Sequence, residues 1–158
     1  MKLYFLRHAE SIFNVNINSG EKDCELSEKG IKDCIKFFDI NYNQQFFPKE
    51  FDEIICSPLK RTRSTLEHLP IEKKNITYNE NIREFKQDIC DYYYEESIKL
   101  ETEDEFNERI QFFMESLNEK NYDKILIVSH HDVIQCITSR KLNNLEWTSC
   151  DFIRINER

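Results

Sequence analysis

Short apolar runs alternate with amphipathic stretches along this chain, and the two periodicities divide it into strands and helices. Lys2-Leu3-Tyr4-Phe5-Leu6 reads as a buried first strand that delivers Arg7 and His8 to its end. Ser27 is placed to cap a helix whose Ile31, Cys34, Ile35 and Phe38 recur at helical spacing and predict a core-facing stripe. Residues 52–56 predict a second strand, followed by Ser57 as N-cap and Pro58 as first helical residue of a helix running to about His68. A short extended segment is expected over 75–78. Thr102 and Glu105 have capping-box spacing ahead of a stripe of Phe106, Ile110, Phe113, Met114 and Leu117, which reads as core. Lys124–Ser129 carries the apolar run Ile125-Leu126-Ile127-Val128, which needs cover on both faces, and it ends at His130. A helix is expected through Val133, Ile134 and Ile137, and the alternation over 152–155 predicts an edge strand. Strands alternating with helices predict an α/β fold, a three-layer α/β/α sandwich with a mostly parallel central sheet and an edge strand near the C-terminus. No repeat, linker or low-complexity segment interrupts it, so residues 1–158 are expected to form one domain.

Composition narrows the partners. A formal net charge of -8 and a pI near 5.1 argue against nucleic-acid and anionic-membrane surfaces, both of which need a basic face. No apolar stretch approaches the roughly 20 residues of a membrane span, and the N-terminus is a strand in place of a charged leader, so a cytoplasmic location is expected. The six cysteines, Cys24, Cys34, Cys56, Cys90, Cys136 and Cys150, form no C-x-x-C pair and suggest neither a zinc site nor a disulfide framework.

Three strands end in polar clusters: Arg7-His8, Ser57 to Arg61, and Ser129-His130. Parallel strands put those ends on one side of the sheet, where open α/β sheets hold their ligands. An imidazole can attack phosphorus, and a guanidinium can hold phosphoryl oxygens with a forked pair of hydrogen bonds. A phosphate monoester is dianionic near neutral pH, so a neutral imidazole nucleophile flanked by cations suits it. His130, His131 and Asp132 are adjacent and cannot all point one way, which argues against a metal site.

With Ile82-Arg83-Glu84, these segments resemble the histidine phosphatase superfamily, whose members include the cofactor-dependent phosphoglycerate mutases. The family pattern R-H-G-E-S-x-x-N is matched by Arg7, His8, Glu10, Ser11 and Asn14, with Ala9 in the place of the glycine. Leu26, Ser27 and Gly30 match the next stretch. Ser57-Pro58-Leu59-Lys60-Arg61 with Thr65 is similar to S-x-L-x-R-x-x-x-T, and Val128-Ser129-His130 resembles the strand ending in S-H-G, with His131 replacing the glycine.

The resemblance implies a metal-independent phosphoric monoester hydrolase of the histidine acid phosphatase type, working without a cofactor. His8 would be the nucleophile, Arg7, Arg61 and His130 would hold the phosphoryl group, and Asn14 would donate its amide to it. Charge balance is expected to favour a protonated His130. Ser57 and His131 join the expected phosphate-binding set, His131 with a packing role as its alternative. Glu84 is the candidate proton donor, with Asp88 and Asp91 as competing assignments and a solvated acidic loop as the ordinary account. A small phosphorylated metabolite or a phosphoprotein is the expected partner, and the sequence leaves the oligomeric state open. Mutase activity is less expected, because the chain has little room for the mutases' insertions and C-terminal lid. A protein phosphohistidine phosphatase and a phosphate-binding or scaffolding module with weak turnover are the alternatives.

Blander readings apply elsewhere. His68 suits the C-terminal end of a helix, and Lys60 and Arg63 suit solvated surface positions. Tyr92, Tyr93 and Tyr94 would form either a lid over the pocket or an aromatic loop packed on the scaffold. Ala9 is tolerable at negative φ, whereas His131 would be strained if its φ were positive.

Overall fold

The most apolar segment of the chain lies at the centre of the sheet, and the rest is arranged around it. The computed structural model describes residues 1–155. In chain order these contain β1 (Lys2–Arg7), α1 (Ile12–Val15), α2 (Glu28–Ile35), α3 (Phe37–Ile40), β2 (Glu53–Cys56), α4 (Lys60–His68), β3 (Ile76–Tyr78), α5 (Glu103–Ser116), β4 (Lys124–Ser129), α6 (His131–Thr138) and β5 (Trp147–Asp151), joined by loops and short 3-10 turns. The strand order is β3-β2-β4-β1-β5. β4 runs parallel to both β1 and β2, β3 runs parallel to β2, and β5 runs antiparallel to β1.

The two-residue period of the strands sorts the core into two halves. Leu6, Ile54, Cys56, Leu126 and Val128 face Cys34, Phe37, Leu66 and Leu69, so α2, α3 and α4 cover one side. Leu3, Phe5, Ile55, Ile125 and Ile127 face Phe106, Ile110, Phe113, Val133 and Ile134, so α5 and α6 cover the other. Each fully buried side chain of this size contributes about 1.5–3 kcal/mol, which makes β4, apolar on both faces, the most stabilising strand. The result is the expected three-layer arrangement.

Caps explain two helix starts. Thr102 accepts from the backbone N–H of Glu105 while Glu105 accepts from that of Thr102, closing the capping box of α5. Ser27 accepts from Gly30 N at 3.0 Å and so caps α2. Its own N–H donates to Glu10 O at 2.9 Å, which brings the helix end against the segment after β1. A Cβ on Gly30 would lie 2.1 Å from Glu10 O, so this approach requires glycine.

Three sequence expectations are corrected. The edge strand is Trp147–Asp151, earlier than 152–155, because the register Lys2↔Asp151 reaches the start of β1, and beyond it only Phe152 is joined to the chain start, its N–H donating to Met1 O at 2.8 Å. Trp147 packs on Tyr4 and Phe47, while Ile153 and Ile155 are exposed. Ile35 is 57 % exposed although the stripe predicts it in the core. α2 ends there, Lys36 leaves helical geometry at ψ 18°, and the restart as α3 turns Phe37 inward in its place. Ser57 does not cap α4, whose first residue is Lys60 and whose N-cap is Leu59. The Ser57 hydroxyl is engaged across the sheet with His130, and Thr62 Oγ1 donates instead to the carbonyls of Ser57 and Leu59.

Candidate active site

Registers Arg7↔Ser129 and Cys56↔Val128 bring the carboxyl ends of β1, β4 and β2 to one edge. A cavity of about 220 Å³ opens there, with Arg7, His8, Asn14, Arg61, Glu84 and His131 among its lining. A larger cleft of about 780 Å³ runs beside β5, but it contains none of the site residues expected from sequence.

His8 is buried and held from several sides. Its N–H donates to Ser129 O at 3.1 Å, and its carbonyl accepts from Leu145 N and from Asn144 Nδ2. The ring Nδ1 lies 2.7 Å from Ala9 O, so Nδ1 carries the proton and Nε2 is left with the lone pair. Burial, then Arg61 and Arg7, push its pKa well below the ordinary imidazole value, so His8 is neutral. Ala9 N in turn donates to Thr65 Oγ1 at 3.0 Å, which ties the loop to α4.

Arg61, on the first turn of α4, is buried and fixed by two bonds. Nη1 donates to Cys90 O and Nη2 to Asp91 Oδ1, each at 2.9 Å. The other oxygen of Asp91 accepts from the backbone N–H groups of Gln87 and Asp88. Asp91 is thus a counter-charge that orients Arg61. Arg7 Nη1 donates to Leu142 O at 2.8 Å, while Arg7 Nε is buried without a partner among the described residues. Burial lowers the pKa of Arg7.

His130 lies behind His8, their ring centroids 5.3 Å apart, and is fully buried off the cavity wall. Its Nε2 is 2.8 Å from Ser57 Oγ, and its Nδ1 has no partner among the described residues. Ser57, likewise fully buried, contacts His130 and is not on the wall. The expected protonation of His130 is not favoured in the unliganded protein. Burial, Arg61, His8 and Arg7 all push its pKa well below the ordinary value. Desolvation beside two guanidiniums outweighs any carboxylate nearby.

Asn14 is exposed at the mouth. Its Oδ1 accepts from Ser11 N, Ser11 Oγ and Asn144 Nδ2, which leaves the amide nitrogen to donate outward. Glu84 is half-buried, with Oε1 accepting from Phe85 N at 3.0 Å and from Asp132 N at 3.2 Å. Burial, then the charges of Asp132 and Asp91, raise its pKa to about 7, poised between acid and base at neutral pH. Its segment is anchored by Arg109 of α5, which donates to the carbonyls of Asn81, Arg83 and Glu84, and by Ser129 Oγ, which donates to Ile82 O.

His131 begins α6 and lines the cavity, with Nδ1 2.9 Å from Asp132 Oδ1. Among the described residues, positive φ outside glycine occurs at Asp23, Asn75, Ser139 and Leu145. Ala9 and His131 therefore replace the family glycines without backbone strain. None of the three tyrosines covers the cavity. Tyr92 is buried with its hydroxyl on Lys99 O, Tyr93 lies over Arg83 at 3.9 Å, and Tyr94 is exposed. The part of that segment on the cavity lining is Phe85, Gln87, Asp88, Cys90 and Asp91. His68 Nδ1 is 2.8 Å from Ser64 O in the last turn of α4, as expected for a helix end.

Sequence reasoning missed Asn144, Leu145 and Arg109. The first two lie in the loop before β5, where Leu145, at φ 57°, donates its N–H to the carbonyls of Arg7 and His8. An Asn143-Asn144 pair signals a turn, and nothing in the pattern signals that the turn lands on the end of β1.

A mostly parallel sheet covered on both faces, with two arginines and two histidines gathered at the carboxyl ends of its strands, defines an α/β domain with its functional groups at the position usual for that class. The chain belongs to the histidine phosphatase superfamily, branch 1, whose family model matches residues 3–99 and 77–155. Among solved structures it is similar to the alpha-ribazole phosphatase from Shigella flexneri, at 20 % identity and a TM-score of 0.75 over 98 % of this chain and 92 % of that one. It is similar also to a phosphoserine phosphatase from Entamoeba histolytica in complex with 3-phosphoglyceric acid, at 19 % identity and a TM-score of 0.62 over 94 % and 89 %. At these identities the likenesses carry the fold.

Proposed function

We propose that this protein is a metal-independent phosphatase that hydrolyses phosphomonoesters through a phosphohistidine on His8. The observation that carries the reading is a neutral His8, its Nδ1 tied to Ala9 O, sharing one small cavity with Arg7, Arg61 and a Glu84 whose pKa lies at about 7.

Nε2 of His8 attacks phosphorus in line, and the bond from phosphorus to the ester oxygen breaks. Protonated Glu84 gives its proton to the departing alkoxide, so a neutral alcohol leaves and phospho-His8 remains. Water then attacks phosphorus, Glu84 takes the proton from that water, and the P–N bond breaks to release phosphate and restore His8. Arg7 and Arg61 balance the charge on the phosphoryl oxygens, and the outward amide of Asn14 adds a donor. His130 stands behind His8 uncharged, with Nε2 hydrogen-bonded to Ser57 Oγ at 2.8 Å and an Nδ1 that has no partner among the described residues.

Steady-state phosphate release from alkyl phosphomonoesters with poor leaving groups tests the reading. His8→Ala is expected to abolish turnover, and Glu84→Gln to reduce it by roughly 10²-fold or more. Turnover that survives His8→Ala would overturn the mechanism. Activity on phosphohistidine that is indifferent to Glu84→Gln, with none on esters, would favour the phosphohistidine alternative, since imidazole leaves without an acid.

A further inference from the structure

The wall of the cavity on which the alcohol of a substrate would rest is acidic. Arg7 and Arg61 face the phosphoryl position, and Arg61 already has Asp91 as its counter-ion. A phosphate dianion matches the two guanidiniums, so the liganded cavity retains the charges of Asp91, Asp88 and Asp132, all on its lining. Among the described residues no lysine or arginine forms an ion pair with Asp88 or Asp132; Asp132 Oδ1 lies 2.9 Å from His131 Nδ1. The carboxyls also sense one another. After burial, the charges of Asp132 and Asp91 raise the pKa of Glu84, and the same two raise that of Asp88. Two aromatic side chains, Phe13 and Phe85, share this lining, the second stacked on Phe106.

We propose that Asp88 and Asp132 are specificity-determining residues that select phosphomonoesters of small amino alcohols, whose ammonium group meets these carboxylates, over esters whose alcohol carries a carboxylate. The inference rests on the reading that the phosphoryl group sits at His8 between Arg7 and Arg61. The cavity, at about 220 Å³, suits an alcohol of a few heavy atoms. Selection operates in both directions, through attraction of the ammonium and repulsion of the carboxylate, which are equal and opposite at a given separation.

Three esters of matched length separate charge from shape: 2-aminoethyl phosphate, 2-hydroxyethyl phosphate and carboxymethyl phosphate. Their affinities for His8→Ala, in which turnover is blocked, are measured by calorimetry, and kcat/KM is measured for the wild type. The ammonium ester is expected to bind about tenfold or more tightly than the carboxylate ester, with the hydroxyl ester between them. Asp88→Asn and Asp132→Asn, each added to His8→Ala, should narrow that gap, the pair together should nearly close it, and added salt should narrow it for the parent protein. A flat or reversed order, or an order that survives both asparagine substitutions, overturns the proposal. Failure of the phosphatase reading registers separately, as His8-independent turnover or none, while the binding order still reports on Asp88 and Asp132. If none of the three esters binds, the phosphoryl seat itself is refuted and the proposal falls with it.

Discussion

Glu84 is the residue whose ionisation matters most, and its sign can be followed through folding. In the folded chain it keeps its proton up to about 7, against an ordinary value of 4.5. On raising the pH, the unfolded carboxyl ionises first, so folding takes up a proton between these values and stability falls as pH rises. At about 1.4 kcal/mol per pKa unit, the loss reaches up to about 3 kcal/mol by about pH 8. Glu84→Gln should therefore raise Tm relative to wild type near pH 8 and leave it little changed near pH 4, as followed by thermal denaturation. An equal effect at both pH values would mean that the carboxyl is not held protonated. Asp91 makes the opposite case, a buried charge whose value lies in its partner. Asp91→Ala leaves Arg61 buried and unpaired and is expected to cost about 3–5 kcal/mol by urea denaturation. Asp91→Asn keeps an acceptor for Nη2 and should retain the fold, but its amide nitrogen cannot accept from Gln87 N and Asp88 N as Oδ2 does, so the hold on Arg61 loosens and KM is expected to rise. Both residues stand in the same acidic stretch of sequence, and only their neighbours separate their roles.

At the scale of elements, local pattern and tertiary contact each account for different boundaries. The strand over Lys124–Ser129 was legible because no other packing accommodates an apolar run that long without cover on both faces. The capping box at Thr102 was legible because it is satisfied entirely within three residues. Ser57 was misread for the complementary reason: a serine before a proline is locally a cap, and its hydroxyl is claimed by His130, 73 residues away. Gly30 tests how α2 supports the site. Its backbone closes on Glu10 O, two residues beyond His8, so Gly30→Ala forces the helix and that segment apart. The substitution is expected to cost about 3 kcal/mol or more and to lower kcat along with stability, as read by denaturation and by phosphate release. Unchanged activity in a folded Gly30→Ala protein would show that α2 does not hold the His8 segment in place.

On the scale of the whole molecule, the parallel sheet turns residues distant in sequence into neighbours, and the loop before β5 closes over the end of β1. No helix among the described residues is long and apolar enough to cross a membrane. The sequence by itself determined the α/β alternation, the central strand and the polar clusters at strand ends, because each depends on the period of apolar positions or on a short motif. It also pointed to His8, Arg7, Arg61, Glu84, Asn14 and His131, which the structure brings to one cavity. Only the tertiary structure decided that His130 and Ser57 stand behind that wall, that Asp91 serves Arg61, and that the tyrosines pack away from the cavity. The physical reason is that hydrogen-bond partners and desolvation are set by contacts across long separations in sequence. A pattern of residue types specifies which groups reach an edge of the sheet, and the packing of loops against that edge specifies what each group touches and whether it is charged.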